Sequence, residues 1–119
     1  MSKGEFHVGN IFLTGTISDQ PYYAIFEDDG ETGYFYICDK RNLEDPILDA
    51  LHIYDIRSVV DKEKTSLFEI MWKDGGFKTA LFINAHCHAV FDFNKMEGIC
   101  RNNFPDSEYR RPWSNELVN

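Results

Sequence analysis

Leu67-Phe68-Glu69-Ile70-Met71-Trp72-Lys73-Asp74-Gly75-Gly76-Phe77-Lys78-Thr79-Ala80-Leu81-Phe82-Ile83 decides the fold. Two apolar runs rich in aromatic and β-branched residues flank Asp74-Gly75-Gly76, and these turn residues tolerate the positive φ that a tight hairpin needs. Side chains alternate between the two faces of a strand. Phe68, Ile70 and Trp72 therefore oppose Leu67, Glu69 and Met71, and Phe77, Thr79, Leu81 and Ile83 oppose Lys78, Ala80 and Phe82. Both faces are largely apolar, which places this hairpin centrally, covered on one side by a second sheet and on the other by the C-terminal tail or a helix.

The same pattern extends in both directions. Strands are expected at Ile11–Ile17, Tyr22–Asp28, Gly33–Cys38, His52–Val60, Leu67–Lys73, Phe77–Asn84 and His88–Phe93. A second hairpin reverses at Asp29-Gly30, with Gly33 suited to a bulge. Two short helices are expected. Asp45–Leu51 has a capping Asp45 and Pro46 in the first turn, and Asn94–Arg101 is the other. The expected class is mainly β, a single-domain antiparallel β-sandwich or a curled β-barrel with one or two short helices. The domain would span residues 1–119, with its core at about 8–105 and a polar tail at 106–119.

Composition removes several function classes. Hydrophobic residues at 43% and aromatics at 15% are far too abundant for a disordered chain. Twelve basic against twenty acidic residues give a formal charge of −8, which repels nucleic-acid phosphates and anionic lipid. The longest uninterrupted apolar run, Tyr34–Cys38, falls far short of the ~20 residues that span a bilayer. Glu5 and His7 interrupt the N-terminal stretch before it reads as an export signal. Cys38, Cys87 and Cys100 are odd in number and lack CxxC spacing, as expected of reduced thiols in the cytoplasm.

Three constellations could carry chemistry. Glu27, Asp28, Asp29 and Glu31 put four carboxylates in five residues at an expected exposed hairpin tip. They lack the alternate spacing of a calcium loop. Glycosidase-type carboxylates come from separate segments. A solvated tip that deters edge pairing, or an epitope for a basic partner, fits better. His86-Cys87-His88 places two imidazoles on one strand face, with Asp92 further along it, a start for zinc or iron. A third ligand would have to come from His7, His52 or scattered acids, so ordinary edge positions are the plainer reading and no cofactor is expected. Cys100 beside Arg101 is a conceivable nucleophile, but no histidine adjoins it in sequence, and a buried structural thiol is expected. Arg101, Arg110 and Arg111, interleaved with Phe104, Tyr109 and Trp113, form the basic concentration expected to pair with the chain's own acids.

Three blocks carry a family resemblance: Phe26-Glu27-Asp28-Asp29-Gly30-Glu31-Thr32-Gly33-Tyr34-Phe35-Tyr36; Ile47-Leu48-Asp49-Ala50-Leu51-His52-Ile53-Tyr54; and His88-Ala89-Val90-Phe91-Asp92-Phe93 with Cys100-Arg101-Asn102-Asn103-Phe104-Pro105. Over roughly residues 20 to 105 the chain resembles DUF2251, an uncharacterised bacterial family of small cytosolic proteins. The resemblance implies a small stand-alone bacterial protein and brings no catalytic residue with it. The functional expectation is a non-enzymatic acidic protein-binding module, of which an immunity-type protein is one form, that meets a basic protein partner. A small-molecule-binding or metal-dependent enzyme in a β-barrel is the alternative.

Overall fold

The structure, a computed structural model, describes residues 2–16, 20–59 and 65–101. Nine strands run through them: β1 (Ser2–Phe6), β2 (Ile11–Thr16), β3 (Tyr22–Asp28), β4 (Thr32–Asp39), β5 (Ile47–Asp55), β6 (Ser66–Lys73), β7 (Lys78–Ile83), β8 (His86–Asp92) and β9 (Glu97–Cys100). They form two antiparallel sheets, β1-β6-β7-β8-β9 and β2-β3-β4-β5. The architecture is an open β-sandwich, and among the described residues no barrel closes.

The hairpin β6–β7 forms as its sequence dictates, with Phe68 opposite Ile83 and Lys73 opposite Lys78. Asp74, Gly75 and Gly76 take φ of 55°, 67° and 96°, the region that glycine enters without steric cost. β7 is the middle strand of its sheet, and Phe68, Ile70, Trp72, Leu81 and Ile83 face the main core while Ala80 and Phe82 face the other side. Asn84 and Ala85, with φ of 51° and 68°, make the two-residue turn into β8. The Asn84 backbone N–H donates to the Leu67 carbonyl at 2.8 Å, and its side-chain oxygen accepts from the Leu67 N–H at 2.9 Å.

Both expected helices are strands or turns. Residues 47–51 of the first belong to β5, which pairs with β4 from Cys38 opposite Ile47 to Thr32 opposite Asp55. Asp45-Pro46 can open a helix locally, but a helix of one or two turns is marginal in isolation. Pairing with β4 satisfies the backbone and buries Leu51 and Ile53. The strand expected at His52–Val60 accordingly begins at Ile47 and ends at Asp55, where a 3-10 turn, Ile56–Ser58, follows. In Asn94–Arg101, a turn leads into β9, which pairs with β8. Gly98 lets β9 lie against β5: a Cβ there would stand 2.8 Å from Asp49 Oδ2 and 3.1 Å from Leu51 Cδ2. β1 was not expected, because Ser2-Lys3-Gly4-Glu5 is poor in strand formers. It forms on the template of β6, with Gly4 opposite Phe68.

The core lies between the sheets. Phe26, Phe35, Phe68, Ile37, Leu51, Ile70 and Leu81 are fully buried, each worth about 1.5–3 kcal/mol. The rings of Phe26 and Phe68 stack across the two sheets at 5.0 Å.

Candidate functional site

Period-2 alternation divides the four-stranded sheet into two unlike faces. Inward go Ala24, Phe26, Phe35, Ile37 and Leu51. Outward the register lines up three rows across the strands. They are Phe12–Glu27–Tyr34–His52, Thr14–Ile25–Tyr36–Ala50 and Thr16–Tyr23–Cys38–Ile47. Tyr34 and Tyr36 stack at 5.8 Å, and Tyr34 meets the His52 ring edge-on at 5.2 Å. Phe12 is 61% exposed and Ile47 47%. Phe12, Tyr23, Ile25, Glu27, Tyr36 and Ile47 line a shallow groove of about 330 Å³ on this face.

Glu27 is the acid in the lining of the groove. Ionisation of the Tyr36 hydroxyl is pushed up, first by burial and then by the carboxylates of Glu27 and Asp29. Burial likewise pushes up the Cys38 thiol and outweighs the hydrogen bond from Tyr23, which acts the other way, so the thiol stays protonated at neutral pH. His52 Nε2 lies 3.1 Å from Asp55 Oδ1.

The four expected tip carboxylates separate. Glu27 is half-buried on the outer face, and Asp29 and Glu31 are exposed. Asp28 is not at the surface: it is 1% exposed and is an inward residue of β3, in phase with Ala24 and Phe26. Its carboxylate accepts from the Gly9 N–H at 2.7 Å, the Gly30 N–H at 2.9 Å and the Tyr54 hydroxyl at 2.6 Å. Asp28 therefore ties the β1–β2 turn, the β3–β4 turn and β5 together, and Tyr54 is raised well above the usual tyrosine range by burial and by this bond. The strand period running on from Phe26 was the sequence signal for its burial, and the neighbouring acids masked it. Asp29 caps the turn, accepting from the N–H groups of Glu31 and Thr32 at 2.9 and 3.0 Å, and these bonds hold its carboxyl below the usual range.

The expected metal set does not share a face. β8 pairs Cys87 with Phe82 and Ala89 with Leu81, so His88 is the extra residue of a β-bulge. The bulge reverses the alternation: Cys87 and Val90 join the outer cluster, whereas Ala89 and Phe91 face the core. His86, His88 and Asp92 cannot be placed together by simple alternation. Asp92 Oδ1 instead accepts from the N–H groups of Asn94 and Lys95. Among the described residues no group of three His, Cys, Asp or Glu side chains could hold a metal ion. His88 is pushed down to about 4 by burial, then by Arg101 and His86. Burial pushes the Cys87 thiol up to about 11. Cys100 is fully buried in the main core. The Arg101 guanidinium donates to the Cys87 carbonyl, and Arg110 and Arg111 lie outside the described residues. No helix among the described residues is long and apolar enough to cross a membrane.

Fold and site together define an open antiparallel β-sandwich carrying an aromatic, acid-bearing sheet face. Residues 6–119 match the family described as an uncharacterized protein conserved in bacteria (DUF2251), and the chain belongs to that family. It is similar to an uncharacterized protein of Haemophilus influenzae, 38% identical over 118 residues that cover 98% of this chain and 73% of that one. No solved structure matches the chain at a significant level.

Proposed function

We propose that the protein is a non-enzymatic binding module whose outer aromatic face receives a basic segment of a protein partner, as an immunity-type protein does when it neutralises a cationic target. The observation that carries the reading is the row Phe12–Glu27–Tyr34, in which one carboxylate stands between two rings. An arginine or lysine laid there meets π-faces and a counter-charge together, and such contacts are worth about 0.5–2 kcal/mol each. The chain already makes one internally, with the Arg41 guanidinium 5.5 Å from the Tyr22 ring centre. A net charge of −8 adds long-range attraction for a basic partner. The enzyme alternative has less to build on: His52 and Cys38, the reactive side chains of this face, are engaged by Asp55 and Tyr23. Three buried cysteines with no disulfide between them suit a reducing compartment and support a cytoplasmic site of action.

The test is an NMR titration with peptides of equal length that carry arginine and aromatic residues, aspartate and aromatic residues, or neutral residues. Cationic peptides should shift the amides of Phe12, Ile25, Glu27 and Tyr36. Glu27→Lys combined with Glu31→Lys should weaken them at least ~5-fold, an effect of about 1 kcal/mol. Equal binding of the acidic peptides, or shifts centred elsewhere, would refute the assignment.

A further inference from the structure

We propose that β2 is a self-pairing edge, by which two copies of this chain join their four-stranded sheets antiparallel along Ile11–Thr16 into one eight-stranded sheet. A sheet edge presents a row of unpaired N–H and C=O groups, and proteins protect such edges with charges, proline, bulges, short strands or a cover. Three of the four edges here are protected in one of these ways. β1 exposes Lys3 and Glu5. β9 is four residues long. β5 follows Pro46, carries two register shifts against β4 and is approached by β9 at Gly98.

Among the described residues β2 has none of these sequence devices, although β1 runs beside it as β9 runs beside β5. Its sequence, Ile11-Phe12-Leu13-Thr14-Gly15-Thr16, holds no charge and no proline, and it pairs with β3 in unbroken register. Among the described residues its strand partner is β3 alone. Phe12, Thr14 and Thr16 are exposed on its outer side.

A second copy fits this edge by symmetry. A two-fold axis normal to the sheet must pass through one residue if outer side chains are to stay on the same face. Through Leu13 it sets Phe12 opposite the partner's Thr14, and through Thr14 it sets Phe12 opposite the partner's Thr16. Either register lays a β-branched side chain against the exposed ring, a favourable cross-strand pair, and brings no charge opposite another. The nearest outer-face acid in the pairing, Glu27, lies one strand inward. Repulsion between two bodies of charge −8 then acts through solvent and falls within a Debye length of ~8 Å at physiological salt. Self-association should therefore strengthen as salt is raised, the reverse of what a basic partner would show. Joined this way, the two aromatic faces run on as one surface.

Sedimentation equilibrium of the full chain between about 5 and 500 µM, at 0.05 and 0.5 M NaCl, tests the proposal. The expected result is a reversible dimer of twice the 13.9 kDa chain mass, tighter at high salt. Thr14→Lys and Thr14→Glu, both at an exposed position, should each weaken it at least tenfold with an unchanged circular dichroism spectrum. Thr16→Lys provides a second edge variant should Thr14 substitutions disturb folding. Because the three native thiols are buried, Thr14→Cys treated with a short bifunctional maleimide should yield a covalent dimer, and Lys3→Cys on the β1 edge should not. A monomer throughout the range, or a dimer indifferent to charge at Thr14 and Thr16, would overturn the assignment.

Discussion

The two faces of the four-stranded sheet are built from the same strands and nearly the same residue types, yet they do opposite work. Phe26 and Phe35 point inward and are sealed by the five-stranded sheet, whereas Tyr23, Ile25, Tyr34 and Tyr36 point outward around an open groove. Even the acids divide this way: Asp28 is enclosed by three donors, and Glu27, one residue earlier, faces outward between Phe12 and Tyr34. The lesson is that an apolar side chain stabilises this fold by being covered, and one left uncovered on the same strand is available for recognition.

The largest contrast should come from the aromatic residues. Phe26→Ala opens a cavity beside Phe68 and should cost about 3–5 kcal/mol in urea unfolding, whereas Tyr36→Ala should cost about 1 kcal/mol or less. Comparable losses at the two positions would mean that the outer face is structural. Next come the neighbouring carboxylates. Asp28→Asn leaves one of three donors without an acceptor and removes the charge that strengthens the others, so about 2–3 kcal/mol should be lost; Glu27→Gln should change stability by less than about 0.5 kcal/mol. An Asp28→Asn protein as stable as the parent would show that the three-donor site contributes little.

The smallest effect carries the comparison to the five-stranded sheet, where His88 sits half-buried in the bulge of β8. Its folded-state value of about 4 lies below the ordinary 6.5, so between these limits the unfolded chain binds more protons. Stability should fall as pH drops from about 6.5 towards 4, above the range in which Asp29 and Asp39, both held below 3.8, contribute. Urea midpoints at pH 6.5, 5.5 and 4.5 should show a shallower slope for His88→Gln than for the parent. Parallel slopes would place the sensitivity elsewhere.

How far the sequence discloses this depends on how local the cause is. β3, β4, β6 and β7 announce themselves through β-branched and aromatic runs bounded by Asp-Gly or Gly-Gly, and β8 through its apolar run between Asn84 and Asn94, because turn chemistry and alternation act within a few residues. β5 and β9 do not. Asp45-Pro46 is a true local helix signal that pairing with β4 overrides, and Gly98 acquires its meaning only from Leu51 and Asp49 on another sheet. For the site, Glu27 was visible as a charge, and the outward set Tyr23, Ile25, Tyr34 and Tyr36 was legible as one side of two strands. Which side would be left open was not, since that depends on where the second sheet docks. The His86-Cys87-His88 spacing failed for the corresponding reason, because a bulge fixed by β7 shifts the phase that simple alternation assumes.

The Asp28 site also bears on the lifetime of the folded state. Its donors arrive from three places: Gly30 lies in the adjacent turn, but Gly9 is 19 residues away and Tyr54 is 26. The carboxylate cannot be fully satisfied until the β1–β2 turn and β5 have both docked, after the entropy of closing those loops has been lost. Contacts that wait on such docking are expected to act on how fast the molecule opens more than on how fast it forms, so Asp28→Asn should raise the unfolding rate in urea-jump kinetics and leave the folding rate nearly unchanged. Asp28 is in that sense a latch on unfolding, placed one residue from the outward-facing Glu27.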